Sequence, residues 1–134
     1  MTKVVIYAST SGNTEAAAKY IASKIGGEAI PIAMVSTVDL DDVDTVVFGS
    51  RVHAGSISKN VAEYIVANYA KLTEKKVAYF VCCMYDKDRG KEQCGKIGAK
   101  LNLSDGVFFN GIKKKIAAGE TKELDDFVDM VNRL

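Results

Sequence analysis

Short apolar runs alternate along the chain with longer segments that have helical spacing. Runs of four to six apolar or β-branched residues, bounded by turn formers, predict strands at Lys3–Ala8, Ala29–Ile32, Thr45–Gly49, Val77–Cys82 and Val107–Asn110. Unbroken runs of this length are typical of strands that are covered on both faces. The pattern therefore predicts five buried strands.

Between these strands, apolar residues recur every three or four positions, which indicates amphipathic helices. The first helix is predicted from about Asn13 to Ile25, where the glycine pair at 26–27 ends it. Further helices are predicted after an N-cap at Ser58, over about Lys91–Leu101, and after a cap at Thr121. Residues 35–43 leave room only for a loop or a single turn.

Alternating strands and helices predict an α/β fold with a parallel sheet and right-handed crossovers. Five strands in 134 residues fit one doubly wound domain, residues 1–134, with strand order 2-1-3-4-5 in a three-layer sandwich. In such sheets ligands bind at the carboxyl ends of the strands, next to the switch point. We therefore expect the chemistry in the loops after strands one, three and four.

The loop after the first strand is rich in hydroxyl groups. It contains Ser9, Thr10, Ser11, Gly12, Asn13 and Thr14, directly before the first helix. Amide groups at a helix N-terminus attract anions, so the loop predicts a phosphate site. It contains no lysine or arginine, which favours a phosphate that is held by neutral donors over one that is transferred. The alternative is a serine-rich capping turn without a ligand.

Two common nucleotide motifs are absent from the sequence. There is no G-x-x-x-x-G-K-[ST] of a P-loop and no G-x-G-x-x-G of a dinucleotide site. No cysteine and histidine spacing resembles a zinc site, and the third strand lacks the terminal aspartate of a response regulator. We therefore predict no metal site.

Composition indicates an ordinary globular domain, with 48% hydrophobic and 26% charged residues. The longest apolar run, Val77–Tyr85, is too short for a membrane span of about 20 residues. No signal peptide is evident, and three cysteines, two of them adjacent, do not form a disulfide framework. We therefore expect a cytoplasmic protein with reduced thiols and no integral membrane segment.

The net charge of +1 conceals a basic stretch over residues 71–115, where eleven basic groups face five acidic ones. Such a stretch attracts an anion, a nucleic acid or a membrane surface, but interleaved acidic residues favour solvated lysines. No nucleic-acid motif is present, so no nucleic-acid partner is predicted.

The hydroxyl-x-hydroxyl-Gly-x-Thr pattern of Ser9–Thr14 resembles the FMN phosphate loop of flavodoxins, and the whole chain is similar to the flavodoxin-like family. Residues 47–57 resemble the "flavodoxin domain" branch that includes menaquinone-dependent protoporphyrinogen oxidase. In that branch a Gly-Ser-x-x-x-x-Gly loop follows the third strand, as it does here from Gly49 to Gly55. The resemblance implies FMN as the cofactor.

The resemblance also implies that two further loops flank the isoalloxazine ring. Their cofactor-binding residues would be Ser50, Arg51, Val52, His53, Ala54, Gly55, Cys83, Met84, Tyr85 and Asp86. Because the chain has no tryptophan, Tyr85 is the residue that we expect to stack on the ring. We expect the Gly55 peptide to turn its carbonyl towards the reduced ring, since glycine tolerates both conformations.

His53 is the only histidine and the catalytic candidate for the redox functions: on a site loop it either stacks on the ring or donates a proton, or it is a loop histidine without a role. Arg51 either neutralises a flavin or substrate anion or lies in solvent. Cys83 and Arg89 have the C-x₅-R spacing of a phosphatase cradle. The acidic residues of that loop, Asp86 and Asp88, would repel a phosphate, so this possibility is remote.

Two functions remain open. One is an FMN-dependent oxidoreductase that resembles the protoporphyrinogen oxidase branch and acts on a quinone or another organic substrate. The other is a small flavodoxin-type electron carrier, with an unknown redox partner and no substrate of its own. Carriers of that family are usually strongly acidic, and a net charge of +1, with Lys87 and Arg89 beside the expected ring site, fits a carrier poorly.

Overall fold

The computed structural model describes residues 2–9, 12–53, 55–83 and 87–134. Five strands are present: β1 (Thr2–Ala8), β2 (Glu28–Pro31), β3 (Val43–Arg51), β4 (Lys76–Cys82) and β5 (Gly106–Phe109). The α-helices are α1 (Asn13–Ile25), α2 (Lys59–Ala67), α3 (Tyr69–Leu72), α4 (Lys87–Leu101), α5 (Ile112–Ala117) and α6 (Lys122–Asn132). Within the described residues, no helix is long and apolar enough to cross a membrane.

The five strands form one parallel sheet in the order β2-β1-β3-β4-β5. The predicted fold class and strand order are therefore confirmed. The central strands β1, β3 and β4 are buried over most of their length, as their unbroken apolar runs predicted. β2 lies at one edge and is more exposed.

Two hydrophobic cores lie on opposite faces of the sheet. On one face, α1 and α6 cover alternate strand residues, and the rings of Phe80, Phe109 and Phe127 pack with centroids 5.7–6.1 Å apart. On the other face, α2 and α4 cover Phe48 and Tyr79. Because helices cover both faces, the sheet is accessible at the two ends of its strands.

The structure corrects the predicted elements in three places. Residues 35–43 contain parts of two 3₁₀ helices, over Ile32–Thr37 and Leu40–Asp42. The helix after Ser58 breaks at Asn68, whose side-chain amide donates to the carbonyl of Tyr64. The helix α5 was not predicted, because a run of three lysines leaves only one fully buried apolar residue, Ile112, in its pattern.

The two expected side-chain caps are absent. Thr121 and Ser58 occupy N-cap positions, but neither hydroxyl caps its helix. The Thr121 hydroxyl instead donates to Asp125 Oδ2 at 3.0 Å. Gly26 ends α1 in the left-handed conformation, as predicted.

Candidate functional site

The register of the sheet places the loops after β1, β3 and β4 together at the carboxyl ends of the strands. Ala8 aligns with Ser50, and Arg51 aligns with Cys82, so β1, β3 and β4 end at nearly the same level. The Val52 amide donates to the Cys82 carbonyl at 2.9 Å, which extends this alignment beyond the end of β3. The loops that follow these strands therefore form one candidate site, at the place that strand order predicts.

The described part of the first loop consists of Ser9 and Gly12, directly before α1. Gly12 takes the left-handed conformation (φ 87°), and its amide donates to Ser9 Oγ at 3.2 Å. No side chain of the described residues caps the start of α1, so its first-turn amides remain suited to an anion. Thr10 and Ser11, which were also predicted to bind phosphate, lie outside the described residues.

Thr14 supplies a buried hydroxyl next to this turn. The residue is fully buried, and its Oγ1 makes no well-formed hydrogen bond with any described residue. Its polar contact is the Cys82 thiol. Burial raises the pKa of that thiol to about 11, and the Thr14 contact opposes the increase in part. A buried hydroxyl without a good partner is costly, which fits a side chain that is directed at a ligand.

The structure adds a cation that local sequence did not reveal. The Lys113 amide, at the start of α5, donates to Asn13 Oδ1 at 3.0 Å. The Lys113 ammonium lies 3.2 Å from the position that a Cβ would take on Gly12. The loop itself contains no charged side chain, as its sequence showed, but the Lys113 ammonium lies beside it. Only the packing of α5 against α1 brings these residues together across 100 positions of sequence.

The second loop is closed by a tight turn. The His53 amide donates to the Ser56 carbonyl at 2.9 Å, and the Ser56 amide donates back at 3.0 Å. Gly55 has φ 79°, a conformation that glycine adopts without strain. Ala54, between them, lies outside the described residues. The exposed side of His53 and Gly55 leaves this turn open to a ligand or a partner.

Ser50 has a structural role within the same loop. Its side chain is buried, and its hydroxyl accepts from the Ser58 amide and donates to the Arg51 carbonyl, both at 2.9 Å. The hydroxyl is therefore occupied in joining β3 to the start of α2. Arg51 is exposed, while Val52 is partly buried against the core under α2 and α4.

Gln93 of α4 also lies next to this loop, although nothing in the pattern around it singled it out. Its Nε2 lies 4.0 Å from the position of a Cβ on Gly55, and its Oε1 is buried without a hydrogen bond among the described residues. The Gln93 amide, whose oxygen is incompletely bonded, therefore lies next to the Gly55 turn. Helical spacing alone could not separate Gln93 from the exposed polar residues around it.

The third loop is described only in part. Met84, Tyr85 and Asp86 lie outside the described residues, so the expected stacking of Tyr85 remains a prediction. Cys83 is 8% exposed, and its amide donates to the Phe109 carbonyl at 3.1 Å. A thiol buried in this way is poorly accessible to a phosphate ester, which disfavours the phosphatase hypothesis.

Solved structures share this architecture at low sequence identity. Oxidised flavodoxin 2 from Bacillus cereus matches with a TM-score of 0.71 and 16% identity over 99% of each chain. A WrbA-like flavodoxin from Agrobacterium tumefaciens matches with a TM-score of 0.70 and 16% identity over 98% of each chain. Identity at this level shows a common fold only.

Rubredoxin oxygen:oxidoreductase from Desulfovibrio gigas also matches, with a TM-score of 0.71 and 15% identity. The match covers 98% of this chain but 35% of that one, so this chain spans about a third of the length of that protein. A search of curated proteins found no significant match.

The sequence also matches a family model, which is described as a flavodoxin domain, over residues 4–125. This range contains all three loops of the candidate site. It includes β1 almost entirely, the whole of β2–β5 and the beginning of α6. The chain belongs to the flavodoxin domain family.

Proposed function

We propose that this chain binds FMN and acts as an FMN-dependent oxidoreductase on a quinone or a similar organic substrate. The observation that carries FMN binding is the phosphate-binding geometry of the first loop. It combines the left-handed Gly12, the uncapped start of α1 and the buried, incompletely bonded Thr14 hydroxyl. These groups fit a phosphate because the first-turn amides of α1 and the Thr14 hydroxyl, which lacks a well-formed hydrogen bond among the described residues, are neighbouring donors.

Bound FMN supplies one- and two-electron transfer, and the protein supplies binding and electrostatics. Under this proposal, residues 9–14 hold the phosphate, and the loops 49–56 and 82–86 flank the ring. Tyr85 stacks on one face of the ring. Exposed His53 lies on the turn beside the ring, where it can donate a proton to a substrate. The Gly55 peptide can change its orientation, because glycine has no Cβ that would restrict its backbone.

An electron carrier without its own substrate is the competing function. A reduced, anionic flavin is destabilised by surrounding carboxylates, which is how an acidic protein lowers the flavin potential. This chain has a net charge of +1, and α4 begins with Lys87. The charge therefore favours an enzyme with a higher flavin potential over a strongly reducing carrier.

The first experiment measures FMN binding directly. The purified protein is examined for flavin absorbance, and the apoprotein is titrated into FMN while the fluorescence of FMN is followed. We expect quenching with saturation at one FMN per chain. A colourless protein that neither quenches nor shifts the FMN spectrum would refute the proposal.

A second experiment separates enzyme from carrier. Anaerobically reduced holoprotein is mixed with menadione, and its reoxidation is followed in a stopped-flow instrument. If the protein is an enzyme, the rate of reoxidation should saturate as the menadione concentration rises, and His53→Gln should have a lower limiting rate. The matched control Lys19→Gln, an exposed change on α1, should react as wild type does.

A linear dependence on menadione that His53→Gln leaves unchanged would instead support a carrier. Release of phosphate from p-nitrophenyl phosphate that Cys83→Ser abolishes would overturn the redox proposal in favour of a phosphatase.

A further inference from the structure

We infer that Lys113 belongs to the phosphate site and makes it selective for phosphorylated flavin over riboflavin. This inference rests on the proposed function, because it assigns a residue to the FMN site. It concerns a residue that lies 100 positions from the phosphate loop and outside any flavodoxin-like motif in the sequence. The contacts at Gly12 and Asn13 carry it.

The Lys113 side chain lies along the loop glycine. Its Nζ, Cδ and Cε atoms are 3.2, 3.7 and 3.9 Å from the position that a Cβ would occupy on Gly12. The absence of a side chain at Gly12 therefore makes room for the lysine stem. As a result, the ammonium is held at the turn that the amides of α1 also face.

Two contacts fix the backbone of Lys113. Its amide donates to Asn13 Oδ1, which joins the first residues of α1 and α5. The preceding residue, Ile112, is 1% exposed and packs in the core with α1 and α6. Lys113 therefore starts from a fixed point, so less conformational entropy is lost when its ammonium contacts an anion.

The charge of Lys113 has no acidic partner among the described residues. Of its neighbours, Lys115 pairs with Glu123 at 2.7 Å, and Glu15 of α1 pairs with Lys19 at 3.1 Å. Lys113 forms no such ion pair within the described ranges. An ammonium without an acidic partner, next to neutral hydrogen-bond donors, favours the binding of a dianion. A phosphate monoester is a dianion near neutral pH.

The same lysine has no charged group to bind on riboflavin, which lacks the phosphate. Neutral donors alone would distinguish the two flavins through hydrogen bonds. The ammonium adds a charge interaction that depends on salt. Lys113 is therefore a specificity-determining residue, and its effect is separable from that of the loop.

The test compares Lys113→Met with Lys114→Met, which removes an exposed lysine from the adjacent position of α5. Dissociation constants for FMN and riboflavin are measured by fluorescence at low and at high salt. We expect Lys113→Met to weaken FMN binding by about tenfold at low salt, a typical effect for one charge-assisted hydrogen bond. Riboflavin binding should change less than about twofold, and Lys113→Arg should retain most of the FMN affinity.

Two results would overturn the inference. Equal losses of FMN affinity in Lys113→Met and Lys114→Met would show that the overall positive charge of α5 attracts FMN, without a specific contact of Lys113. An equal loss for riboflavin would show a structural role through Asn13. In addition, the salt dependence of FMN binding should be shallower in Lys113→Met than in wild type, and parallel curves would also contradict the inference.

Inorganic phosphate distinguishes a failure of this inference from a failure of the proposed function. Its binding is followed through the amide NMR signals of Gly12 and Asn13. If wild type binds phosphate but not FMN, and Lys113→Met binds neither, then the FMN proposal fails and the role of Lys113 stands. If FMN binds equally well with and without Lys113, the inference fails alone. If neither ligand shifts these signals, both fail.

Discussion

Replacing Thr14 with valine should stabilise the apoprotein and weaken FMN binding at the same time. The two side chains have nearly the same shape, so the change removes one hydroxyl from a fully buried position. That hydroxyl has no well-formed hydrogen bond among the described residues. The substitution therefore tests whether the site holds an unused donor in the absence of ligand.

The expected magnitudes follow from the burial of this group. Leaving a buried hydroxyl without a partner costs about 1–3 kcal/mol, and threonine and valine have similar helix propensities. The contact with Cys82 offsets part of that cost, so we expect the free energy of unfolding of the apoprotein to rise by about 1 kcal/mol. A hydrogen bond to a charged phosphate contributes about 1.5–3 kcal/mol, so the dissociation constant for FMN should rise at least about tenfold.

Urea unfolding of the apoprotein and fluorescence titration with FMN measure the two effects separately. The control is Thr14→Ser, which keeps the hydroxyl and loses a methyl group. It should lower apoprotein stability by about 1 kcal/mol, while FMN affinity changes by less than about threefold. If Thr14→Val destabilises the apoprotein instead, the hydroxyl is already satisfied, and the reasoning is wrong. Unchanged FMN affinity would remove Thr14 from the phosphate site.

Three further predictions test the fold around the site. Gly49→Ala should unfold at a temperature lower by several degrees, because its Cβ would overlap the Phe80 ring, and adding Phe80→Leu should restore part of the loss. Because burial raises the pKa of the Cys82 thiol from 9.0 to about 11, this group should lower the free energy of unfolding by about 1 kcal/mol between about pH 8 and pH 10; in urea unfolding of Cys82→Ala the decline should be smaller by that amount, while the buried Cys94 thiol still contributes. The Tyr20 hydroxyl, 2.6 Å from Asp125, lowers the pKa of that carboxyl, so Tyr20→Phe should raise the pKa in an NMR titration; an unchanged value would contradict the bond.

The strands were predictable because each leaves a local apolar pattern, and their order followed from the doubly wound fold class. The central strands are buried on both faces, so their apolar runs are unbroken, and parallel crossovers restrict the possible topologies. Helix α5 was missed for the opposite reason. Its burial rests on Ile112, while the three following lysines read as a solvated turn. Ile116 packs against the same core only in part, and a single apolar pair four residues apart is too short a pattern to distinguish a helix from a turn.

The candidate site was predictable to the level of its loops and not of its contacts. Ser9 and Gly12 follow a strand and precede a helix, and that position alone indicates a turn with exposed amides. Ser50 joins β3 to the start of α2 because its buried hydroxyl accepts a hydrogen bond from the Ser58 amide, eight residues later. Lys113 depends on a contact across 100 residues. Neither contact leaves a trace in local sequence, because each is created by packing.

The bond between the Lys113 amide and Asn13 has a consequence for synthesis on the ribosome. The loop that precedes Asn13 leaves the exit tunnel about 100 residues before α5 does. A nascent chain that has emerged through β4 already contains every residue of the hydroxyl-rich turn but lacks the element that braces it. The turn therefore gains this contact only after α5 has been synthesised, and a chain truncated before residue 112 should lack it even though all five strands are present.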